Sequence, residues 1–224
     1  MYVGPDIVTN GLVFAVDAAS ERSYPGTGTT WTDLSGNSIN GTLTNGPTFS
    51  SGNGGSFLFD NYDDYVSLGA SSQFSITNQI SLFSWVKIDS FTNWDGIFGA
   101  YSGGSFVHFQ LIGGRINLYV YGPGAGWDRL DPGYDQLTAG EWANVGFTFG
   151  SSVLTVYLNG VAMPTTVTGS ASNVTSTTEV SIGRVYSGDR NLGGYVATTD
   201  VYNRALSSAE VKQNYNAIKG RFGL

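Results

Sequence analysis

The stretch FVHFQLIGGRINLYVY, residues 106–121, contains two runs of alternating side chains joined by a pair of glycines. In the second run the apolar Ile116, Leu118 and Val120 alternate with polar or aromatic residues. Because successive side chains of a strand point to opposite faces, this period of two predicts strands with one buried face. The glycine pair supplies the positive φ angles that a tight two-residue turn requires. The stretch therefore predicts an antiparallel β-hairpin.

The same alternation continues on either side of the hairpin. From Ile80 to Ile88 the even-numbered residues share one face, while Phe83, Trp85 and Lys87 share the other. Further runs of this kind occupy residues 145–149 and 153–159, with turn residues between them. We therefore expect an all-β chain in which these strands form an antiparallel meander.

The composition supports this fold class and provides enough apolar material for one core. Hydrophobic residues make up 41% of the 224 residues and aromatics 14%, whereas only 12% are charged, about half of the roughly 25% usual in soluble proteins. The 32 glycines are typical of a chain with many tight turns. Since β-sandwiches often reach this length as one unit, we expect an N-terminal arm at 1–10, one sandwich at 11–218 and a C-terminal tail at 219–224.

The charge of the chain argues against one class of partner. The net charge is −7 and the sequence pI is about 4.4, so there is no basic stripe of the kind that binds nucleic acid. The chain has no cysteine for disulfides or thiolate chemistry. Residues 1–10 lack the features of a signal peptide, and no apolar run approaches the roughly 18 residues of a membrane span. We expect neither nucleic-acid binding nor membrane insertion, and synthesis in the cytoplasm.

One helix is predicted, near the carboxyl end. Ser207 and Glu210 have the spacing of a capping box, and Val211, Tyr215 and Ile218 follow at helical intervals. Gly220 is the expected residue just beyond the helix end. We expect this short amphipathic helix to pack on the edge of the sandwich.

Several segments, taken in order, match the motifs of a known family. They are Gly11–Asp17, Trp31–Asn37, Asn40–Leu43, Phe59–Val66, Ser84–Lys87, Glu141-Trp142, Tyr157–Val161, Ile182–Arg184 and Val201–Ser207 with Glu210. Together they resemble the laminin-G-like (LamG) jelly-roll domain of the concanavalin A-like lectin/glucanase superfamily. Asn61 stands where the family motif has glycine, and Asn tolerates the same left-handed conformation. The resemblance implies a concanavalin A-like antiparallel β-sandwich with one short C-terminal α-helix.

A narrower resemblance concerns the chain ends. Tyr215–Leu224, with the Met-initiated start that lacks a signal, is similar to single-domain members among the structural proteins of tailed phages. This implies a virion structural protein, either a capsid decoration or a tail appendage, that faces the outside and has other virion proteins as partners. Two further hypotheses are that the chain binds a host or environmental polysaccharide and that it forms a homo-oligomer. The alternative is a bacterial surface lectin, and a glycosidase is the third hypothesis.

The glutamates argue against the glycosidase. Retaining glucanases of this superfamily carry E-x-D-x-x-E on one strand, since the nucleophile and the acid must lie about 5 Å apart. The four glutamates, Glu21, Glu141, Glu179 and Glu210, do not have this spacing. The single histidine, His108, falls within a predicted strand and cannot build a triad or a multi-histidine metal site. We expect no catalytic residues and no enzymatic activity.

Structural calcium is the one cofactor that the resemblance implies. The family often holds calcium between its first and last strands, where Asp17 and Asp200 stand in this sequence. Asp60, Asp63 and Asp64 form a second acidic cluster, and hard cations prefer such oxygen ligands. Carboxylates in turns also accept hydrogen bonds from backbone amides, so a purely structural interpretation stays open for these residues.

Two segments have the composition of a sugar-binding site, in which aromatic rings stack on pyranose faces while amides and carboxylates bond hydroxyls. One is the glycine-rich segment 122–135, and the other is 93–95 followed by Tyr101. The candidate sugar-binding residues are Trp94, Tyr101, Trp127, Asp128, Arg129, Asp131 and Tyr134. The alternative is that these aromatics close the sandwich edge or contact a neighbouring virion subunit.

Overall fold

The computed structural model describes residues 6–100, 106–121, 127–130, 137–151, 153–164, 167–168, 178–186 and 190–224, and at 121, 127–130 and 167–168 the backbone alone. The strands of these residues are β1 (Leu12–Asp17), β2 (Thr30–Trp31), β3 (Gly41–Thr44), β4 (Thr48–Ser50), β5 (Ser56–Asp60), β6 (Tyr65–Ala70), β7 (Ile80–Ile88), β8 (Asp95–Ala100), β9 (Val107–Ile112), β10 (Arg115–Tyr121), β11 (Trp127–Leu130), β12 (Trp142–Gly150), β13 (Val153–Leu158), β14 (Val161–Ala162), β15 (Val167–Thr168), β16 (Glu179–Ile182), β17 (Arg184–Val185), β18 (Arg190–Asn191) and β19 (Gly193–Tyr202). The helices are α1 (Ser208–Ile218) and the short 3-10 helices Gly52–Gly54, Ser71–Phe74 and Lys219–Phe222.

Two antiparallel sheets contain most of these strands. Within the described ranges, the first sheet has nine strands in the order β14-β13-β12-β7-β19-β5-β4, with β1 beside β19 and β15 beside β13. The second has eight, in the order β11-β10-β9-β8-β16-β6-β3-β2. The strands β17 and β18 form a separate two-stranded ribbon. The predicted all-β, antiparallel sandwich with one C-terminal helix is confirmed.

The predicted hairpin is confirmed, but the single meander is wrong. In β9 and β10, Ile112 lies opposite Arg115, and Gly113 and Gly114 both adopt positive φ, at 56° and 83°. The strands β8 to β11 follow one another in the second sheet, whereas β7 and β12 are neighbours in the first. The chain therefore changes sheet after β7 and again after β11. Alternation of side chains is the same in either sheet, so it predicts the strands without predicting their sheet.

The main core lies between the two sheets. The even-numbered apolar residues of β7 face this core, as predicted, and so do the apolar residues of β9 and β10. Phe109 of the second sheet meets Phe147 of the first at a centroid distance of 5.6 Å. Both rings are fully buried, and full burial of one such side chain contributes about 1.5–3 kcal/mol.

The helix α1 covers the outer face of the first sheet, so its predicted position at the edge is wrong. Tyr215 of α1 stacks on Trp85 of the central strand β7, with ring centroids 5.6 Å apart and planes 12° apart. Beside this pair a second buried cluster joins strands and helix. It consists of Phe83, Tyr157, Tyr202, Leu206 and Val211. Phe83 and Trp85, on this outer face of β7, are large and apolar, and the contacts with α1 bury them.

The start of α1 is as predicted. Ser207 Oγ accepts a hydrogen bond from the Glu210 N–H at 3.4 Å, and the Glu210 carboxylate accepts one from the Ser207 N–H at 2.8 Å. Two otherwise unpaired backbone donors are thereby satisfied.

Gly220 is the residue just beyond the helix end, as predicted, since α1 ends at Ile218 and Lys219 is its C-cap. The backbone continues from α1 into the 3-10 helix Lys219–Phe222, and Gly223 is the residue with left-handed φ, at 76°. Phe222 stacks on Trp85 with a centroid distance of 4.3 Å. Because Trp85 lies on the outer face of the first sheet, this 3-10 helix packs the residues after α1 against that face.

The residues before β1 are held by α1. Asn214, buried within the helix, accepts a hydrogen bond from the Val8 N–H at 2.8 Å and donates to the Tyr202 hydroxyl at 2.9 Å. That hydroxyl donates to the Val8 carbonyl at 2.9 Å. In the part of the chain that the structure describes, no helix has the length and apolar character to cross a membrane.

Candidate functional site

Trp94 lies in the loop between β7 and β8, and its neighbours fix that loop. Asp95, fully buried at the start of β8, accepts hydrogen bonds from the Thr92 N–H at 3.0 Å and the Thr92 hydroxyl at 2.9 Å. The Trp94 N–H donates to Thr92 Oγ1 at 3.2 Å. Burial raises the pKa of Asp95, while the hydrogen bonds from Thr92 oppose that rise. The half-buried Trp94 side chain is therefore presented from a loop with a defined conformation.

Arg190 lies against the Trp94 ring. Its guanidinium carbon is 4.0 Å from the Trp94 ring centroid and 4.5 Å from that of Tyr186, so the cation contacts two aromatic rings. Its Nη1 donates to Gln110 Oε1 at 3.0 Å, and Gln110 Nε2 donates to Asn117 Oδ1 at 2.8 Å. Cation–π contacts and this hydrogen bond leave the guanidinium little rotational freedom.

The ribbon β17–β18 brings Arg190 to this position by crossing β8 at Gly96. A Cβ atom at Gly96 would collide with the Arg190 carbonyl oxygen and the Val185 nitrogen. Only glycine allows so close an approach of two backbones. The ribbon therefore depends on Gly96.

A pocket of about 280 Å³ lies beside Trp94. The residues that line it are Asn61, Thr92, Asn93, Trp94 and Asn191. Asn191 Nδ2 donates to the Tyr62 carbonyl at 2.5 Å, which anchors the loop between β5 and β6. In that loop Asn61 adopts left-handed φ, at 64°, in agreement with its place in the glycine position of the motif. Trp94, Thr92 and three asparagines thus line this pocket, and the side chain of Asn191 is buried against Tyr62.

A second pocket of about 280 Å³ adjoins the first, since both include Asn61 and Thr92. Its lining also includes the carboxylates of Asp60 and Asp89. We call the two pockets together the Trp94 groove. Tyr62, at the tip of the same loop, is 78% exposed. The groove thus has an amide-rich half beside Trp94 and an acidic half beside Asp60.

The acidic cluster of Asp60, Asp63 and Asp64 offers three oxygen atoms within 4.8 Å of one another. Asp60 Oδ1 accepts from the Tyr62 N–H at 2.8 Å, and this bond holds the pKa of Asp60 below its usual value. Asp64 Oδ2 accepts from the Asp60 N–H at 3.1 Å, but burial raises the pKa of Asp64. These backbone bonds are those of an ordered turn, and the oxygens are also of the type that calcium prefers.

Asp17 and Asp200 line another cavity, of about 350 Å³, between the sheet and α1. Asp200 is buried and accepts no hydrogen bond from the residues that the structure describes; burial, reinforced by the charge of Asp17, raises its pKa to about 7. Asp17 already has a cationic partner, because Arg221 Nη1 lies 2.6 Å from Asp17 Oδ1. The carboxylate of Asp200 is therefore available to bind a cation, whereas calcium would have to compete with Arg221 for Asp17.

The structure separates the candidate sugar-binding residues. Trp94 lies in the groove. Trp127, Asp128 and Arg129 belong to β11 at the edge of the second sheet, where Trp127 lies opposite Tyr121. Two strands lie between β8 and β11, which places these strands about 14 Å apart. Tyr101, Asp131 and Tyr134 lie outside the described residues.

His108 is buried within β9 with Tyr119 and Tyr186 beside its ring, in agreement with its predicted place in a strand.

Sequence reasoning missed most of the groove. The sequence indicates Asn61 only through its backbone conformation, and it contains no signal for Asn191 or Arg190. The last two lie about 100 residues after Trp94 in sequence, and no local pattern distinguishes them from surface residues. Only the crossing of the ribbon over β8 brings them to Trp94.

Fold and site together define a two-sheet antiparallel sandwich with a polar groove formed by its loops. A laminin-G sequence model, described as the concanavalin A-like lectin/glucanases superfamily, matches residues 60–212. The chain therefore belongs to the concanavalin A-like lectin/glucanases superfamily. No curated protein matches the chain in sequence.

Solved structures show the same fold at low sequence identity. Domain 4 of AbnA, a GH43 extracellular arabinanase from Geobacillus stearothermophilus, solved in complex with arabinotriose, has a TM-score of 0.73 and 18% identity over 91% of this chain and 98% of that domain. The receptor binding domain of botulinum neurotoxin C/D mosaic serotype has a TM-score of 0.74 and 14% identity over 93% of this chain. Trypanosoma rangeli sialidase in complex with sialic acid has a TM-score of 0.67 and 16% identity over 94%. The match spans 51% of the neurotoxin chain and 33% of the sialidase chain. The fold of these structures therefore extends over nearly the whole chain.

Proposed function

We propose that this chain is a non-enzymatic carbohydrate-binding domain whose sugar contacts lie in the Trp94 groove. The observation that carries the proposal is the pocket beside Trp94, whose lining also includes Asn61, Asn93 and Asn191. Amide groups donate and accept hydrogen bonds at once, which suits neighbouring sugar hydroxyls. An indole offers the apolar surface that a sugar ring covers.

The dimensions of the pocket suit one unit of a longer glycan. Its volume of about 280 Å³ is close to the lower limit of small-molecule sites, roughly 300 Å³. Arg190 covers one face of Trp94, so a sugar would use the opposite face or the edge of the indole. The adjoining acidic half of the groove offers room for a second unit beside Asp60.

The contacts of two glutamates support binding without catalysis. Glu179 Oε1 accepts from Ser67 Oγ at 3.0 Å and lies 3.7 Å from Arg184 Nη2. Glu210 forms the helix cap, and its Oε1 lies 2.6 Å from Arg204 Nη2. Both side chains already serve structural contacts. Release of new reducing ends from β-glucans or marine polysaccharides by the purified protein would contradict the non-enzymatic proposal.

The second part of the proposal is that this domain is a structural protein of a phage particle, as a capsid decoration or a tail appendage. It is supported by the resemblance of Tyr215–Leu224 to structural proteins of tailed phages, and it would place the groove outside, where a host glycan is accessible. Mass spectrometry of purified particles tests it, since a virion component must be found among the particle proteins. If the chain is found instead on a bacterial surface, the lectin alternative takes its place.

A glycan array tests the binding proposal directly. Wild-type protein should bind a restricted set of glycans, and Trp94→Ala should lose that binding. The matched control is Tyr195→Ala, which removes a half-buried aromatic on the outer face of the first sheet, beside Lys87. Melting temperature reports whether each variant is folded. Folded Trp94→Ala that binds like wild type, or wild type that binds no glycan, would refute the proposal.

A further inference from the structure

Among the described residues, four cationic side chains have a carboxylate partner, and Arg190 is not one of them. Lys87, Arg184, Arg204 and Arg221 each lie within 4 Å of a carboxylate oxygen. None of the carboxylates that the structure describes pairs with Arg190 in this way. Its guanidinium instead contacts the rings of Tyr186 and of Trp94, and Trp94 lines the groove. An anion bound at the edge of the Trp94 ring would therefore lie near this guanidinium.

The hydrogen bonds of Arg190 leave one edge of the guanidinium unused. Nη1 donates to Gln110, whereas Nε and Nη2 donate to none of the described residues. These two nitrogens form the side edge of the fork, which matches the two oxygens of a carboxylate. The rings of Trp94 and Tyr186 hold the fork in place. Such a fixed fork loses less entropy on binding than a free arginine side chain.

The charges in the groove also fit an anionic group at this end. The pocket beside Trp94 is lined by amide, hydroxyl and indole side chains, and the lining includes no carboxylate. The acidic residues Asp60 and Asp89 line the adjoining pocket instead. A single carboxylate would therefore be accepted beside Arg190, while a densely charged polyanion would meet repulsion further along the groove.

We propose that Arg190 recognises the carboxylate of an acidic sugar, a hexuronate or a sialate, whose ring lies at the edge of the Trp94 indole beside Arg190. This inference rests on the proposed function, since it names the class of glycan for the same groove. Arg190 supplies two charge-assisted hydrogen bonds through Nε and Nη2, and neighbouring amides bond the hydroxyls. Charge-assisted hydrogen bonds of this kind correspond to a preference of about 10- to 100-fold over the neutral sugar.

The test uses oligosaccharides with one terminal hexuronate or sialate, each presented beside its counterpart with the carboxyl reduced to a hydroxymethyl group. Wild-type protein should bind the acidic member of a pair at least about 10-fold more tightly. The preference should weaken in higher salt, because a partly exposed ion pair is screened. Arg190→Gln should bind both members alike, at the level of the neutral one.

Arg184→Gln is the matched control. Arg184 lies in the same ribbon and stacks on Tyr65 at 3.4 Å, but its guanidinium is paired with Glu179. This variant should keep the preference for the acidic sugar. Arg190→Lys, which keeps the charge without the fork, should keep only part of it.

The outcomes separate the two proposals. Equal binding of both members of every pair by wild type would refute the role of Arg190 while leaving the proposed function intact. Binding of neither member of any pair, with other glycans bound on the array, would refute the role of Arg190 alone. Binding of no glycan at all would refute both. The wild-type comparison needs no variant, so it is decisive even if Arg190→Gln proves unstable.

Discussion

Arg221 and Asp17 are 204 positions apart in the chain, yet Arg221 Nη1 lies 2.6 Å from Asp17 Oδ1. The other nitrogens of this guanidinium donate to the carbonyl oxygens of Asn53 and Gly55. The adjacent Phe222 stacks on Trp85 and lies beside Trp142. The last residues of the chain are thereby joined to β1, to the loop before β5 and to the outer face of the first sheet.

Loss of this contact should destabilise the fold. We expect Arg221→Ala to lower the free energy of unfolding by about 1–3 kcal/mol, because it removes an ion pair and two hydrogen bonds from a charged donor. Arg221→Lys should lose less, since it keeps the charge. Arg22→Ala, at an exposed arginine, is the control. Urea denaturation measures the three variants, and equal stability of Arg221→Ala and Arg22→Ala would contradict the prediction.

The buried Asp200 should make stability depend on pH. Burial raises its pKa from 3.8 to about 7, so the folded state binds a proton more tightly than the unfolded state. This contribution to stability is complete below pH 3.8 and is lost as the pH rises to about 7. Asp200→Asn cannot ionise and should become more stable than wild type as the pH rises, by up to about 4 kcal/mol.

The measurement is the difference in unfolding free energy between Asp200→Asn and wild type at several pH values from 4 to 8. Taking a difference cancels the titration of other groups. Asp89→Asn, at an exposed carboxylate, should show no such trend. A difference that stays constant over this range would contradict the raised pKa.

Calcium should raise the melting temperature if the implied ion binds. At a calcium concentration 10-fold above the dissociation constant, the free energy of unfolding rises by about 1.4 kcal/mol. For a chain of this size, this raises the melting temperature by about 3–6 °C. Asp17→Asn should abolish the gain if the site is at Asp17 and Asp200. Asp63→Asn should abolish it if the loop cluster binds the ion. The same melting temperature in chelator and in millimolar calcium would refute both locations.

Trp94 and Trp127 should contribute unequally to glycan binding. Since β11 and β8 are not neighbours, a sugar unit in the Trp94 groove does not reach β11. We expect Trp127→Ala to bind within about twofold of wild type, whereas Trp94→Ala should lose about 1–3 kcal/mol of binding free energy, the value of a stacked aromatic contact. Isothermal titration calorimetry with one glycan measures both variants. A larger loss of affinity in Trp127→Ala than in Trp94→Ala would contradict the prediction and indicate a binding site in the glycine-rich segment 122–135.

The sequence by itself determined the local structure. Period-two alternation identified β7, β9 and β10 and the face of β7 that is buried between the sheets. The glycine pair at 113–114 determined the hairpin turn, and the spacing of Ser207 and Glu210 determined the start of α1. These features depend on neighbouring residues only, and their chemistry is visible in short windows of the chain.

Only the tertiary structure decided which surfaces meet. The sequence did not show that β7 and β8 belong to different sheets, that Arg190 lies on Trp94, or that Arg221 reaches Asp17. Nor did it show that a 3-10 helix follows α1 and that Phe222 within it stacks on Trp85. Alternation assigns a side chain to one of two faces of its strand. What then covers that face depends on the burial of apolar area across the whole chain, and contacts between residues about 100 to 200 positions apart leave no local pattern.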